Sequence, residues 1–278
     1  MSNKTWFITG TSQGIGLELV KKVIASGDNV VATARSIDAL NTAIQAPVGQ
    51  FLPLQVDLLD ENSIAAGVEQ AIAKFGQIDY LVNNAGYGLL GGVEESSKQE
   101  VQANFDVNVF GLLSVIRAVL PHMRKAGSGH ILNVSSVLGI ISVAGWGVYA
   151  ATKFAVEALS EALSQEVAPF GIKVTLIEPG YFRTGFLNNG STVLPVNPIS
   201  EYTALDEIKH KHINEIPGTQ LGNPEKAAEV IIATTQLTEP PLRLLLGSDA
   251  LQYANYKISL MQTDFEAFKE VSASTDFI

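Results

Sequence analysis

Short apolar runs alternate along this chain with longer stretches in which apolar residues return every three or four positions. The runs occupy residues 5–9, 29–34, 51–56, 79–83, 130–134, 173–177 and 242–246. Several are rich in Val and Ile without strict alternation, which is the pattern of strands buried on both faces. Residues 14–26, 60–75, 98–125 and 148–169 carry the helical period instead. A helix after a strand permits a right-handed crossover, so the pattern predicts an α/β fold with a parallel sheet covered on both sides. Pro169 and Gly171 close the last of these helices.

Beyond Pro179 the pattern loosens. Residues 181–223 hold Gly, Pro, Asn and scattered aromatics, with one helix expected near 201–215. A stretch this long without a strand is usually functional, and residues 181–222 are expected to form a lid. Asn223-Pro224-Glu225 reads as a helix start, with Asn as cap and Pro in the first turn. No repeat, linker or second domain is visible, so residues 1–278 are expected to form a single domain.

Composition narrows the function. The 278 residues are 46% hydrophobic and carry a net charge of −10, which argues against nucleic acid or an anionic membrane as partner. The lack of cysteine excludes disulfides, thiolate catalysis and cysteine metal sites. Residues 126–152 contain no Asp, Glu, Lys or Arg and are long enough to span a membrane. Gly127, Gly129, Gly139, Gly145 and Gly147 break up that stretch, so a buried strand running into a site loop fits better. The first ten residues lack a basic region followed by a long apolar run, and a cytoplasmic protein is expected.

Candidate chemistry gathers where strands end. The first strand runs into Gly10-Thr11-Ser12-Gln13-Gly14-Ile15-Gly16. Glycines there let backbone N–H groups approach a pyrophosphate, and the following helix presents its positive end to the phosphates. After the second strand come Arg35 and Ser36, with Ala34 where an NAD-selective fold would place an acid. The Arg35 guanidinium suits a 2′-phosphate, so NADP(H) is expected over NAD(H), although Gln13 supplies no second positive charge. Asp57 and Leu58 follow the third strand, at the adenine position, and Asn84-Ala85-Gly86 follow the fourth, where small residues admit a cofactor. Asn83 is expected to tie strand ends together.

Ser136 ends another apolar run, and Tyr149 stands one helical turn before Lys153. An ammonium beside a phenol favours the phenolate, so Lys153, together with the charge of an oxidised nicotinamide, is expected to bring Tyr149 below the ordinary value of about 10. Ser136 would hold a carbonyl oxygen against that phenol. A nucleophilic serine would need a partnered base, and no histidine lies in these motifs. Ser135 is expected to cap or pack. His210-Lys211-His212 is expected on a solvated helix face rather than at a metal.

Taken together, Thr9-Gly10-x-x-x-Gly14-Ile15-Gly16, Asp57, Asn83-Asn84-Ala85-Gly86, Asn108, Ser136, Tyr149-x-x-x-Lys153 and Pro179-Gly180 resemble the short-chain dehydrogenase/reductase family, to about residue 250. The text around residues 93–95, 105–108 and 178–186 is similar to a branch that includes 17β-hydroxysteroid- and retinol-dehydrogenase-like enzymes. The resemblance implies a Rossmann-type seven-stranded sheet in order 3-2-1-4-5-6-7. It implies Tyr149 as the acid in reduction, Lys153 on the nicotinamide ribose, and Asn108 anchoring a water that connects Lys153 to solvent. Gly180 and Phe182 would border the nicotinamide, and Thr184 would contact its carboxamide or the phosphates. A homo-oligomer through helices 98–125 and 148–169 is also implied. Trp146, Tyr181, Phe182, Phe186 and Tyr202 would line an apolar substrate site for a ketone, aldehyde or secondary alcohol. A catalytically silent NADP(H)-binding regulator and an isomerase or dehydratase on the same scaffold stay open.

Overall fold

Every short apolar run becomes a strand. The structure, a computed structural model, describes residues 3–187 and 190–277. In chain order its strands are β1 (Thr5–Thr9), β2 (Asn29–Ala34), β3 (Phe51–Gln55), β4 (Tyr80–Asn83), β5 (Gly88–Leu89), β6 (Gly129–Val134), β7 (Ile172–Pro179), β8 (Thr192–Val193) and β9 (Arg243–Leu246). Seven of them form one parallel sheet in the order β3-β2-β1-β4-β6-β7-β9, the Rossmann-type order the sequence motifs imply.

Strand periodicity divides the core in two. Phe7, Leu81 and Ile131 face one side; Ile8, Val82 and Leu132, the next residues in each strand, face the other. The first side is covered by α3 (Glu61–Phe75), α5 (Leu112–Ala126) and α6 (Gly147–Val167), through Ile64, Val115 and Val156. The second is covered by α1 (Gly14–Ala25) and α8 (Pro224–Thr235), through Leu19 and Ile231. Both faces are therefore dry, which explains why the strands read as continuous rather than alternating apolar runs.

Local chemistry sets the helix ends. Asp60 accepts from Asn62 N at 2.9 Å to start α3, and Gly76, at φ +81°, closes it in the left-handed conformation. Asn223 caps α8 as expected, accepting from Glu225 N at 2.8 Å, with Pro224 in the first turn. Helix α4 (Lys98–Phe105) begins with a reciprocal Ser97–Glu100 capping box and continues through a π-helical turn, Asp106–Gly111, into α5. This continuous helix is long and apolar enough to cross a membrane, but half of its apolar stretch is buried within the fold. Residues 126–152 become β6, the following turns and the start of α6.

Three features depart from the sequence pattern, while the helix expected near 201–215 is found. Helix α2 (Asp38–Ala43) follows β2. The lid holds a strand after all: β8 pairs in parallel with β5 and fastens residues 192–193 beside the loop after β4. The helix expected at 201–215 is α7 (Thr203–His210) extended by a π-helical turn, Lys211–Glu215. Helices α9 (Ser248–Ala267) and α10 (Lys269–Ala273) follow the last strand. Two-residue strands and a six-residue helix are too short to show a period.

Leu81→Ala removes a fully buried side chain from β4. It should lower the unfolding free energy by about 2–5 kcal/mol, read from the denaturant midpoint at unchanged slope.

Candidate active site

The strand order reverses between β1 and β4: the chain winds outward through β2 and β3, then returns to place β4 on the other side of β1. Sheets of this kind leave a crevice beyond the strand ends at that point. Here it is a cleft of about 890 Å³. The ends of β1 and β4 are pulled together by Thr9 Oγ1, which accepts from Asn84 N and Ala85 N, both at 3.1 Å. Asn84 Nδ2 donates to Gly10 O at 2.8 Å and to Thr9 O at 3.1 Å. A Cβ at Gly10 would stand 2.6 Å from Ala85 Cα, and Gly10 adopts φ +68°, so this crossing needs glycine. Gly14, at φ +62°, lies against Thr184 from the lid.

Most of the expected cofactor residues line this one cleft: Gly10, Ser12, Gln13, Gly14, Ile15, Arg35, Asp57, Leu58, Asn84, Ala85, Gly86, Pro179, Gly180, Phe182 and Thr184. Two do not. Gly16 packs instead against Asn84 and Gly10 O, because close contact between α1 and the strand ends needs a residue without a side chain. Ser36 is exposed past the rim, where the chain turns away toward α2. Asp57 also shapes its own turn, accepting from Leu59 N at 2.9 Å. Asn83 is structural as expected: it donates to Asn133 Oδ1 at 2.9 Å within the sheet.

Ser136, Trp146, Tyr149, Lys153, Tyr181 and Phe186 face the same cleft. Ser136 starts a short turn after β6 and its Oγ accepts from Leu138 N at 3.1 Å, which fixes the hydroxyl. Tyr149 lies in the first turn of α6, its ring 5.6 Å from Trp146 and 5.7 Å from Phe186. Lys153 Nζ stands 5.7 Å from the Tyr149 ring centroid and donates to Val134 O at 2.9 Å. Asn108 does not line the cleft. Held in the π-helical turn, its side chain accepts from Tyr87 N at 3.0 Å and donates to Tyr87 O at 2.9 Å and Thr152 Oγ1 at 3.0 Å. It thereby ties the loop after β4 to the helix that carries Tyr149 and Lys153.

Without a cofactor, burial dominates the electrostatics of these groups. Burial pushes the Tyr149 phenol above its ordinary value, and the Ser136 hydroxyl only partly opposes this. Burial also brings the Lys153 ammonium down to about 8, against the opposing charge of Glu157. Both shifts share one cause, the loss of water around two neighbouring buried groups.

Several residues of 181–222 line the cleft, and the segment is tied down by carboxylates. Glu95 accepts from Gly92 N at 2.7 Å, Ile199 N at 3.0 Å and Lys209 Nζ at 3.1 Å. Burial alone would raise the Glu95 carboxyl, but these donors outweigh it and hold it below the usual range. Glu100 accepts from Val196 N at 2.7 Å, and Gln13 of the glycine loop donates to Ser191 Oγ at 2.6 Å. Tyr202 is exposed and bonded to Glu94 rather than lining the cleft. His212 is not on a solvated face: it is buried, with Nε2 2.8 Å from the Tyr181 hydroxyl and 3.2 Å from the Trp146 Nε1 that donates to it. Its neighbour His210 is exposed beside Glu215. Among the described residues no His, Cys, Asp and Glu group is arranged to hold a metal ion. Tyr253, which also lines the cleft, was not singled out in the sequence, since no local motif surrounds it.

Residues 4–192 match the model of the short chain dehydrogenase family. The chain belongs to that family. It is 36% identical over 273 residues to oxidoreductase BOA17 of Botryotinia fuckeliana, covering 98% of this chain and 99% of that one. It is 34% identical over 256 residues to human 17-beta-hydroxysteroid dehydrogenase type 1, covering 87% and 77%. A crystal structure of a short-chain dehydrogenase from Streptomyces avermitilis superposes with a TM-score of 0.91 at 36% identity, covering 99% and 100%. A metagenomic short-chain oxidoreductase solved with NADP superposes at 0.69 with 26% identity, covering 88% and 97%. As a short-chain dehydrogenase the chain is an oxidoreductase, and its cleft of glycine turn, small residues and helix N-terminus suits a nicotinamide dinucleotide.

Lys153 supplies a pH test. Between about pH 8 and its ordinary value of 10.5, the unfolded chain holds a proton that the folded chain has released, so this group's contribution to stability rises with pH. Below about 8 the buried charge weighs against the fold in full. Lys153→Met should therefore melt above the native protein at pH 7 and lose the advantage near 10.5; equal melting at pH 7 contradicts the assignment.

Proposed function

We propose that this short-chain dehydrogenase reduces a ketone or aldehyde to an alcohol with NADPH, reversibly. The observation that carries the reading is that Ser136, Tyr149 and Lys153 face one cleft with the glycine turn. The bound nicotinamide would supply the hydride. Ser136 Oγ would hold the substrate oxygen, and the Tyr149 hydroxyl would deliver a proton to it as negative charge develops. Lys153 would bind the nicotinamide ribose and, with the positive charge of the oxidised ring, bring the phenol back down from its raised value.

The coenzyme reading rests on Arg35, which lines the cleft beside Ala34, where no acid competes for the ribose hydroxyls. The substrate reading rests on Trp146, Tyr181, Phe186 and Leu187, which make the far end of the cleft apolar and suit a hydrophobic carbonyl compound of some bulk. Phe110 and Phe154, both exposed on the long helices, support a homo-oligomer. The reading is of a cytoplasmic enzyme with no nucleic-acid or membrane partner.

Tyr149→Phe should lower turnover of a carbonyl panel by about 10²-fold or more while NADPH still binds. Loss of NADPH absorbance measures it, and an undiminished rate defeats the assignment. A catalytically silent cofactor-binding protein would turn over no carbonyl, and an isomerase or dehydratase would show no net NADPH consumption. Arg35→Ala should weaken NADPH by roughly 10- to 100-fold and NADH much less. Equal weakening in a fluorescence titration would remove the basis for the coenzyme preference.

A further inference from the structure

Behind the reacting groups lies a buried cluster that the proposed chemistry leaves unused. Glu157 follows Lys153 by one turn of α6, and Glu178 immediately precedes the Pro179-Gly180 turn at the end of β7. Glu157 is 5% exposed and Glu178 is fully buried. Each member of the cluster is a close chain neighbour of a cleft residue: Ser135 of Ser136, Glu157 of Lys153, Glu178 of Pro179.

The charges around the pair do not balance if both carboxyls ionise. Arg243 on β9 stands 3.4 Å from Glu157 and 3.7 Å from Glu178. The same guanidinium lies 3.1 Å from Glu161, one turn further along α6 and exposed. One cation thus faces three carboxylates. Lys153, on the opposite side of Glu157, uses Nζ on Val134 O. Glu157 and Glu178 meet at the Arg243 guanidinium, with the Ser135 hydroxyl and Glu157 both beside Gly139, yet among the described residues no hydrogen bond of good geometry reaches any of the four carboxyl oxygens. Two carboxylates in contact have no hydrogen between them to share. A single proton placed there satisfies both and leaves one negative charge for Arg243. Burial, reinforced by the Glu157 charge, moves Glu178 up to about 8. Burial moves Glu157 up as well.

We propose that Glu157 and Glu178 share one proton at neutral pH and act as a positioning pair, whose remaining charge holds Lys153 as an ammonium beside Tyr149. This rests on the reading of Lys153 as a cofactor and proton-transfer group. With the pair singly protonated, part of a negative charge sits one turn from Lys153 and opposes the loss of its proton on burial. Glu157→Gln removes that charge, and Glu178, freed from its neighbour, ionises against Arg243. Glu178→Gln does the reverse: Glu157 then ionises fully, next to Lys153.

Two measurements on the full-length protein test this, neither of which needs a known substrate. Infrared spectra at pH 7 should show a protonated-carboxyl stretch in the native protein that vanishes in both glutamine variants. The pH at which NADPH affinity falls to half should move down in Glu157→Gln and up in Glu178→Gln, by roughly half a unit to one unit each. Opposite shifts from two isosteric changes are not produced by a packing defect, which would move both the same way. A native protein without the carboxyl band, shifts of the same sign, or an unmoved midpoint overturns the proposal. If either variant fails to fold, the native band and the other variant's shift still decide it. Failure to reduce any carbonyl would count against the proposed activity and leave these two readouts standing.

Discussion

The whole site hangs on the close approach of β1 and β4 at their carboxyl ends. Asn84 donates two hydrogen bonds to Thr9 across that junction, and Gly10 and Gly16 let backbone and side chain meet where a methyl group would collide. Because the strand order reverses there, no helix can cover the ends, and a crevice follows from topology alone. The glycine turn, Arg35, Asn84 and the end of β7 reach one cleft only because these parallel strands all finish on the same side of the sheet.

Burial then decides how the cleft's ionisable groups behave. α6 lies against a dry sheet, and it brings Tyr149, Lys153 and Glu157 in on one side at helical spacing. Sequence spacing alone suggests an ammonium acidifying a phenol. In the folded protein the loss of water dominates: the phenol is pushed up and the ammonium down. The site is therefore set for a cofactor whose own charge completes the balance, and for a buried carboxyl pair that contributes to it from behind.

The lid obeys a different logic. Besides its own helix and short strand, it is held by donors and acceptors reaching across chain distance: Glu95 to Ile199 and Lys209, Glu100 to Val196, Gln13 to Ser191. His212 supports Trp146 and Tyr181 from the far side.

The sequence by itself determined the sheet, the crossover helices and the family, because strand and helix periods and the glycine turn are local signals. Tyr149, Lys153, Ser136 and the β1 loop were legible for that reason. Only the tertiary structure decided that Gly16 packs against Asn84 and Gly10, that Asn108 ties two elements together, that His212 is buried, and that Glu157, Glu178 and Arg243 converge. Those outcomes depend on which surfaces meet and how much water leaves. Desolvation and long-range contact are properties of the packed chain, and neighbouring residues in the sequence carry no record of them.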